Sequence, residues 1–136
     1  MNKLKVLMVD DESRMRKLVN DFLSRKNYEV IKAGDGEEAI DKFYADKDIA
    51  LVILDVMMPR MNGLDAARII REMKRRDAMR VPIIAMSANA FAEDIINSRL
   101  AGMNAHLAKP LDAEKMIVAL KQCMADNRDI KLHEDL

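Results

Sequence analysis

The chain carries a single cysteine, Cys123, so no internal disulfide can form. A reducing compartment is the expected setting, which makes the cytoplasm the expected location. No apolar run approaches the ~20 residues a membrane-spanning helix needs, and no targeting segment is visible. Basic and acidic residues balance at 23 each, which argues against a nucleic-acid binder and against an acidic disordered chain. Tryptophan is missing altogether, and aromatics are scarce near Arg68, Arg71, Lys74, Arg75, Arg76 and Arg80. That cluster therefore reads as a solvated helix face rather than a nucleic-acid surface. No His–Cys spacing suits a structural zinc site.

What is present is one domain of 136 residues, half of them hydrophobic, with apolar runs alternating with helical stripes five times. The strands are expected at Lys3–Val9, Tyr28–Ala33, Ala50–Leu54, Val81–Met86 and Ala105–Ala108. The third and fourth are continuously apolar, as central strands covered on both faces should be. The helices are expected at Ser13–Lys26, from Asp35 to about Ala45, at Leu64–Arg76, near Phe91–Ala101, and at Asp112–Ala125. Met15, Leu18, Val19, Phe22 and Leu23 form the first apolar stripe, and Ala66, Ile69, Ile70 and Met73 the third. Ser13 is the expected N-cap of the first helix, and Asp35 with Glu38 forms a capping-box pattern for the second. The fold class is α/β: a (βα)5 doubly wound, five-stranded parallel sheet of order 2-1-3-4-5, flavodoxin-like. Residues 1–125 make the domain and 126–136 a short polar tail. Most of the twelve methionines are expected to be core filler.

Ligands of such sheets bind beyond the carboxyl ends of the strands, near the switch point. Asp10-Asp11, Asp55 and Lys109 stand where the first, third and fifth strands should end. Three clustered carboxylates repel one another unless a cation joins them. Mg²⁺, with Mn²⁺ as an alternative, takes oxygen ligands of this kind, with Asp11 and Asp55 as direct ligands and Asp10 acting through water. A carboxylate such as Asp55 can attack phosphorus to form an aspartyl phosphate. Lys109 can pair with a phosphoryl oxygen, and Ser87 can donate a hydroxyl hydrogen bond to another.

Val9-Asp10-Asp11-Glu12, Leu54-Asp55-Val56-Met57-Met58-Pro59 with Asn62-Gly63, Met86-Ser87-Ala88 and Lys109-Pro110 occur in this order at the strand ends. From Lys3 to about Ala125 the chain resembles the receiver domain of two-component response regulators, the CheY-like fold. The resemblance implies that Asp55 is the phosphoacceptor, Asp10 and Asp11 the acid pocket, Ser87 the switch hydroxyl and Lys109 the companion lysine. It also implies a Met57 carbonyl on the metal and a cis Lys109-Pro110 peptide. The partner would be a histidine kinase or a phosphotransfer protein, and the switched surface the fourth helix, fifth strand and fifth helix. The stretches Met86–Phe91 and Gly102–Pro110 look most like receivers of hybrid sensor histidine kinases. The expected state is a monomer or a phosphorylation-dependent homodimer. His106 departs from the pattern, standing where the family often has Tyr or Phe. It reads either as a surface imidazole without a role or as an altered switch. Met57 and Asn89 flank the phosphoryl site and are expected to tune the lifetime of the acyl phosphate.

Two other classes fit less well. A magnesium-dependent phosphohydrolase with an aspartyl intermediate commonly has an acid two residues after the nucleophile, where this chain has Met57. A flavodoxin-like small-molecule binder would want a Gly- or hydroxyl-rich loop after the first strand, where this chain has Asp10-Asp11-Glu12. A receiver-like interaction module that is never phosphorylated remains the main alternative.

Overall fold

The structure, a computed structural model, describes residues 3–58, 60–88 and 92–134. Its strands are β1 (Leu4–Val9), β2 (Tyr28–Ala33), β3 (Ile49–Asp55), β4 (Ile83–Ser87) and β5 (Ala105–Ala108). They form one parallel sheet in the order β2-β1-β3-β4-β5, as the alternating pattern predicts. Six helices connect or follow them: α1 (Ser13–Arg25), α2 (Gly36–Ala45), α3 (Gly63–Glu72), α4 (Arg76–Arg80), α5 (Ala92–Leu100) and α6 (Ala113–Glu134).

Strand side chains alternate between faces, and both faces of this sheet are covered. Leu7, Val9, Val52, Leu54, Ile83 and Ala85 pack with Phe43, Ala66 and Ile70 on the side of α2 and α3. Val6, Met8, Leu51, Ile53, Ile84 and Met86 pack with Val19, Leu23, Met116 and Leu120 on the side of α1 and α6. This two-sided burial explains why β3 and β4 carry no polar residue before their last position. Met8, Met58, Met86, Met103 and Met116 are buried, whereas Met57 and Met79 are exposed. Cys123 is buried in the α1–α6 layer.

Several local readings change. Ser13 does not cap α1. Glu12 occupies the N-cap position and makes no side-chain cap bond. Asp35 does cap α2, accepting from the Glu38 amide at 2.8 Å, while Glu38 Oε2 accepts from the Gly34 amide. Leu18 and Ile69 fit the helical period but lie on the exposed flanks of their stripes. The helix expected to reach Arg76 stops at Glu72, and a separate α4 follows. Strand β4 reaches Ser87, and α6 continues past Ala125 to Glu134.

Beyond the early end of α3, polar contacts hold the chain. Arg75 turns back to donate to the carbonyls of Tyr44 at 2.7 Å and Phe43 at 3.2 Å, where α2 ends with unpaired acceptors. Its guanidinium also pairs with Asp77 and lies 5.1 Å from the Phe43 ring centre. Arg71 donates to Gly102 O at 2.9 Å, Ala78 O at 2.9 Å and Asn104 Oδ1 at 2.8 Å, joining α3 to the chain before β5. The basic cluster is therefore not one solvated face. Arg68 is exposed and pairs with Asp65, whereas Arg71 and Arg75 are structural pins. Replacing Arg71 by Met should cost about 2–4 kcal/mol in urea unfolding, because three acceptors lose a charged donor. Arg68→Met should stay within about 0.5 kcal/mol of the unaltered chain.

Candidate functional site

Strand register brings the site together. Val9 of β1 stands opposite Leu54 of β3, so Asp10 and Asp55 follow side by side at the sheet's carboxyl rim. Asp55 is opposite Met86 of β4, and Ser87 is opposite Ala108 of β5. Ser87 and Lys109 therefore each stand one residue further along the rim. Asp10, Asp11 and Asp55 each offer an oxygen within 4.8 Å of the other two. Asp10 and Asp55 are buried and Asp11 is exposed.

One ammonium faces these three carboxylates. Lys109 Nζ lies 3.1 Å from Asp10 Oδ2 and 3.5 Å from Asp55 Oδ2. Asp10 Oδ1 accepts from the Glu12 amide at 2.9 Å, and Asp55 Oδ1 from the Met57 amide at 3.2 Å. Asp10 Oδ2, although ion-paired, accepts no hydrogen bond and is fully buried. A buried carboxylate oxygen in that condition is costly unless something else satisfies it. The donor set is all oxygen and carries more negative charge than Lys109 offsets, which fits a hard divalent cation such as Mg²⁺.

Burial pushes the Asp55 pKa up to about 6, and the neighbouring Asp10 charge adds to the rise. Lys109 and the Met57 amide pull it back only in part. Burial works to lower the Lys109 pKa, but the Asp10 and Asp55 carboxylates outweigh it and hold the ammonium above its usual range. The cation is thus tied to the pocket by the charge imbalance it partly relieves. Its backbone is tied as well: Lys109 N donates to Ser87 O at 2.8 Å, and the Lys109-Pro110 peptide is cis.

Other expected residues divide. Ser87 is buried, and its Oγ lies 3.1 Å from His106 Nε2. His106 is half-buried and bonded, not a bare surface imidazole. Met57 is 70% exposed, and its amide donates to Asp55 Oδ1. Asn89, with Pro59 and Phe91, lies outside the described residues.

Gly63 has a role that the Asn62-Gly63 pair only hinted at. A Cβ there would stand 2.2 Å from the Asp55 carbonyl oxygen, so α3 can start this close to β3 only on glycine. The Gly63 amide donates to Val56 O at 3.0 Å, and Asn62 caps α3 through the Asp65 amide. Arg16 donates to the Asp10 carbonyl and steadies the other side of the pocket. No sequence motif marks that contact.

The raised Asp55 pKa makes a stability prediction for metal-free protein. The folded state holds this proton more tightly than the unfolded chain. The contribution is therefore complete below pH ~4 and lost as pH rises through about 6. Asp55→Asn, measured by urea unfolding in EDTA, should be more stable than the unaltered chain by about 1–3 kcal/mol at pH 8. The difference should shrink toward zero near pH ~4.5. An Asn variant that is less stable at pH 8 would show that Lys109 more than compensates the buried charge.

Comparison with known proteins agrees with this arrangement. The family model for the response regulator receiver domain matches residues 6–121. The chemotaxis protein CheY1 of Helicobacter pylori is 34% identical over 125 residues, covering 91% of this chain and 99% of that protein. The transcriptional regulatory protein ResD of Bacillus subtilis is 34% identical over 120 residues, covering 88% of this chain. The chain spans about half of ResD, 48% of its length. Among solved structures, chemotaxis protein CheY4 of Vibrio cholerae superimposes with a TM-score of 0.83 at 29% identity, covering 89% of this chain and 98% of that one. The receiver domain of sensor histidine kinase PA1611 from Pseudomonas aeruginosa gives a TM-score of 0.81 at 29% identity over 90% of this chain and 98% of that one. It holds a magnesium ion coordinated in its active-site cleft. With the sheet order, the acidic rim and these relatives in agreement, the chain belongs to the response regulator receiver domain family, the signalling domain of two-component systems.

Proposed function

We propose that Asp55 accepts a phosphoryl group from the phosphohistidine of a histidine kinase or phosphotransfer protein. The observation that carries this reading is Lys109 Nζ set between Asp10 and Asp55, at 3.1 and 3.5 Å, inside a three-carboxylate pocket. An Asp55 carboxylate oxygen bonds to phosphorus as the P–N bond breaks, and the bonding pair returns to the donor imidazole. Asp10, Asp11, Asp55 and the Met57 carbonyl would hold Mg²⁺, or Mn²⁺ in its place, which supplies positive charge against the phosphoryl oxygens. Lys109, already ion-paired with Asp55, would pair with one of those oxygens, and Ser87, at the carboxyl end of β4, would donate its hydroxyl to another.

Loss of phosphate follows when water attacks the acyl phosphate, so the domain assists its own phosphorylation and dephosphorylation without turning over a small substrate. The side chain two residues past the acceptor, Met57, carries no proton to give a leaving group, which speaks against a phosphohydrolase. The magnesium seen in the PA1611 receiver supports the metal assignment.

Surface features support the partners. A shallow apolar depression of about 70 Å³ lies between α1 and the start of α6, lined by Leu18, Phe22, Leu111 and Met116 beside the Lys109-Pro110 rim. It explains why an apolar Leu18 is left 56% exposed, and it suits an apolar helix face of a phosphodonor. Ile96 and Leu100 on α5 and Val118 on α6 are exposed as well, on the face expected to be read after switching. No described helix is long and apolar enough to cross a membrane.

Incubation with acetyl phosphate, followed by intact mass, tests the reading. One phosphoryl group should be added with Mg²⁺, none in EDTA, and none on Asp55→Asn. Labelling of the Asn variant at the unaltered rate would assign the acceptor elsewhere. Lys109→Ala should remain folded but take up phosphate at least about tenfold more slowly, because a charged contact of roughly 1.5–3 kcal/mol is lost. Substituting Met57 should change the decay of the acyl phosphate while leaving its formation intact. Equal decay across Met57→Ala, Met57→Glu and Met57→Lys would remove it as a gate. If the unaltered chain takes no phosphate under any condition, the domain is a phosphorylation-independent interaction module.

A further inference from the structure

The rim residues account for charge, but not for the imidazole beneath Ser87. The β4–β5 register sets His106 opposite Ala85 and Ala108 opposite Ser87. Alternation then places His106 and Ser87 on one face of the sheet, as diagonal neighbours. Ala85 presents only a methyl group to this face, so the ring can lean toward Ser87 and reach 3.1 Å from Nε2 to Oγ. Ser87 is 3% exposed, so its hydroxyl has little access to water. Its carbonyl is already held by the Lys109 amide at 2.8 Å.

A serine hydroxyl has one proton to donate and lone pairs to accept with. If Ser87 donates to Nε2, that proton is spent on the imidazole and none is left for the rim. If Nε2 carries the proton and donates to Oγ, the hydroxyl proton is not given to the imidazole, and a phosphoryl oxygen at the rim can compete for it. Accepting one hydrogen bond also strengthens the one it donates. A phenylalanine at position 106 would offer neither arrangement.

We propose that His106 is a positioning residue for Ser87: it donates Nε2–H to Ser87 Oγ and thereby directs the hydroxyl proton to a phosphoryl oxygen on Asp55. The inference rests on Asp55 as the acceptor. Loading of Asp55 selects the Nε2–H form of the ring from the tautomers the unloaded domain populates. A change at the buried rim thus reaches β5 as a change in which ring nitrogen holds the proton. No inward swing of an aromatic ring is required.

The experiment uses the full chain, labelled with ¹⁵N, with Mg²⁺ and beryllofluoride as a mimic of the acyl phosphate. The Met57 amide, which donates to Asp55 Oδ1, reports loading. The His106 ring nitrogens report the tautomer. On saturation, Nε2 should carry the proton, read from its ¹⁵N shift and its one-bond proton coupling. His106→Phe should raise the half-saturating beryllofluoride concentration about 3- to 10-fold, the loss of one hydrogen bond. His106→Gln places an amide nitrogen donor near the same point and should stay within about twofold of the unaltered chain. An unprotonated Nε2 in the saturated domain overturns the proposal, as do Phe and Gln variants that behave alike. If the Phe variant does not fold, the nitrogen measurement on the unaltered chain decides alone. A Met57 amide that never shifts overturns the acceptor reading and this inference together. A shifted Met57 amide with Nε2 unprotonated overturns only the role given to His106.

Discussion

The buried negative charge at the carboxyl rim of the sheet, opposed by one lysine, is the constraint on which the rest of this domain depends. Asp10 and Asp55 are almost wholly withdrawn from water, yet among the described residues only Lys109 is ion-paired with their carboxylates. Taking charge out of water costs several kcal/mol per group, and one ammonium shared by two buried carboxylates repays only part of that. The raised Asp55 pKa and the hydrogen-bond-deficient Asp10 Oδ2 are two expressions of the same shortfall. A site left short of positive charge in this way favours any added cation. Under the proposed function, an incoming phosphoryl group would compete with these carboxylates for Lys109.

Such a pocket survives only on a stiff frame. The sheet is covered on both faces, so its strands cannot slide by one residue without exchanging core side chains for solvent-facing ones. Where the frame must turn, polar groups pin it. Arg75 closes the end of α2, Arg71 ties α3 to the chain ahead of β5, and Gly63 lets α3 begin against the Asp55 carbonyl. The proposed switch elements lie at the ends of β4 and β5, where Ser87 meets His106 and Lys109 reaches Asp10, Asp55 and the Ser87 carbonyl.

Much of this could be read from the chain. Strand order followed from five alternations and the handedness of crossovers, and continuously apolar β3 and β4 announced a sheet covered on both sides. The site was legible because its residues sit at the ends of such runs, where a parallel sheet gathers them. Arginine roles were not legible. Arg68, Arg71 and Arg75 look alike as letters on a basic stretch, and only the positions of distant carbonyls separate a solvated charge from a pin. Leu18 and Ile69 kept the helical period but fell on the flanks, since period fixes a stripe without fixing its width.

The sequence by itself determined which side chains could meet at the rim, because alternation of apolar runs and helical stripes dictates strand ends, and strand ends carry Asp10, Asp55, Ser87 and Lys109. Tertiary structure alone decided how those groups are paired. Register set Val9 against Leu54 and Ala85 against His106, and from that came the shared Lys109, the Asp10 oxygen that has an ion pair but no hydrogen bond, and the Ser87–His106 contact. The physical reason is range. Hydrophobic period and turn chemistry act over a few neighbouring residues, whereas charge compensation and hydrogen-bond direction depend on ångström distances between atoms far apart in the chain.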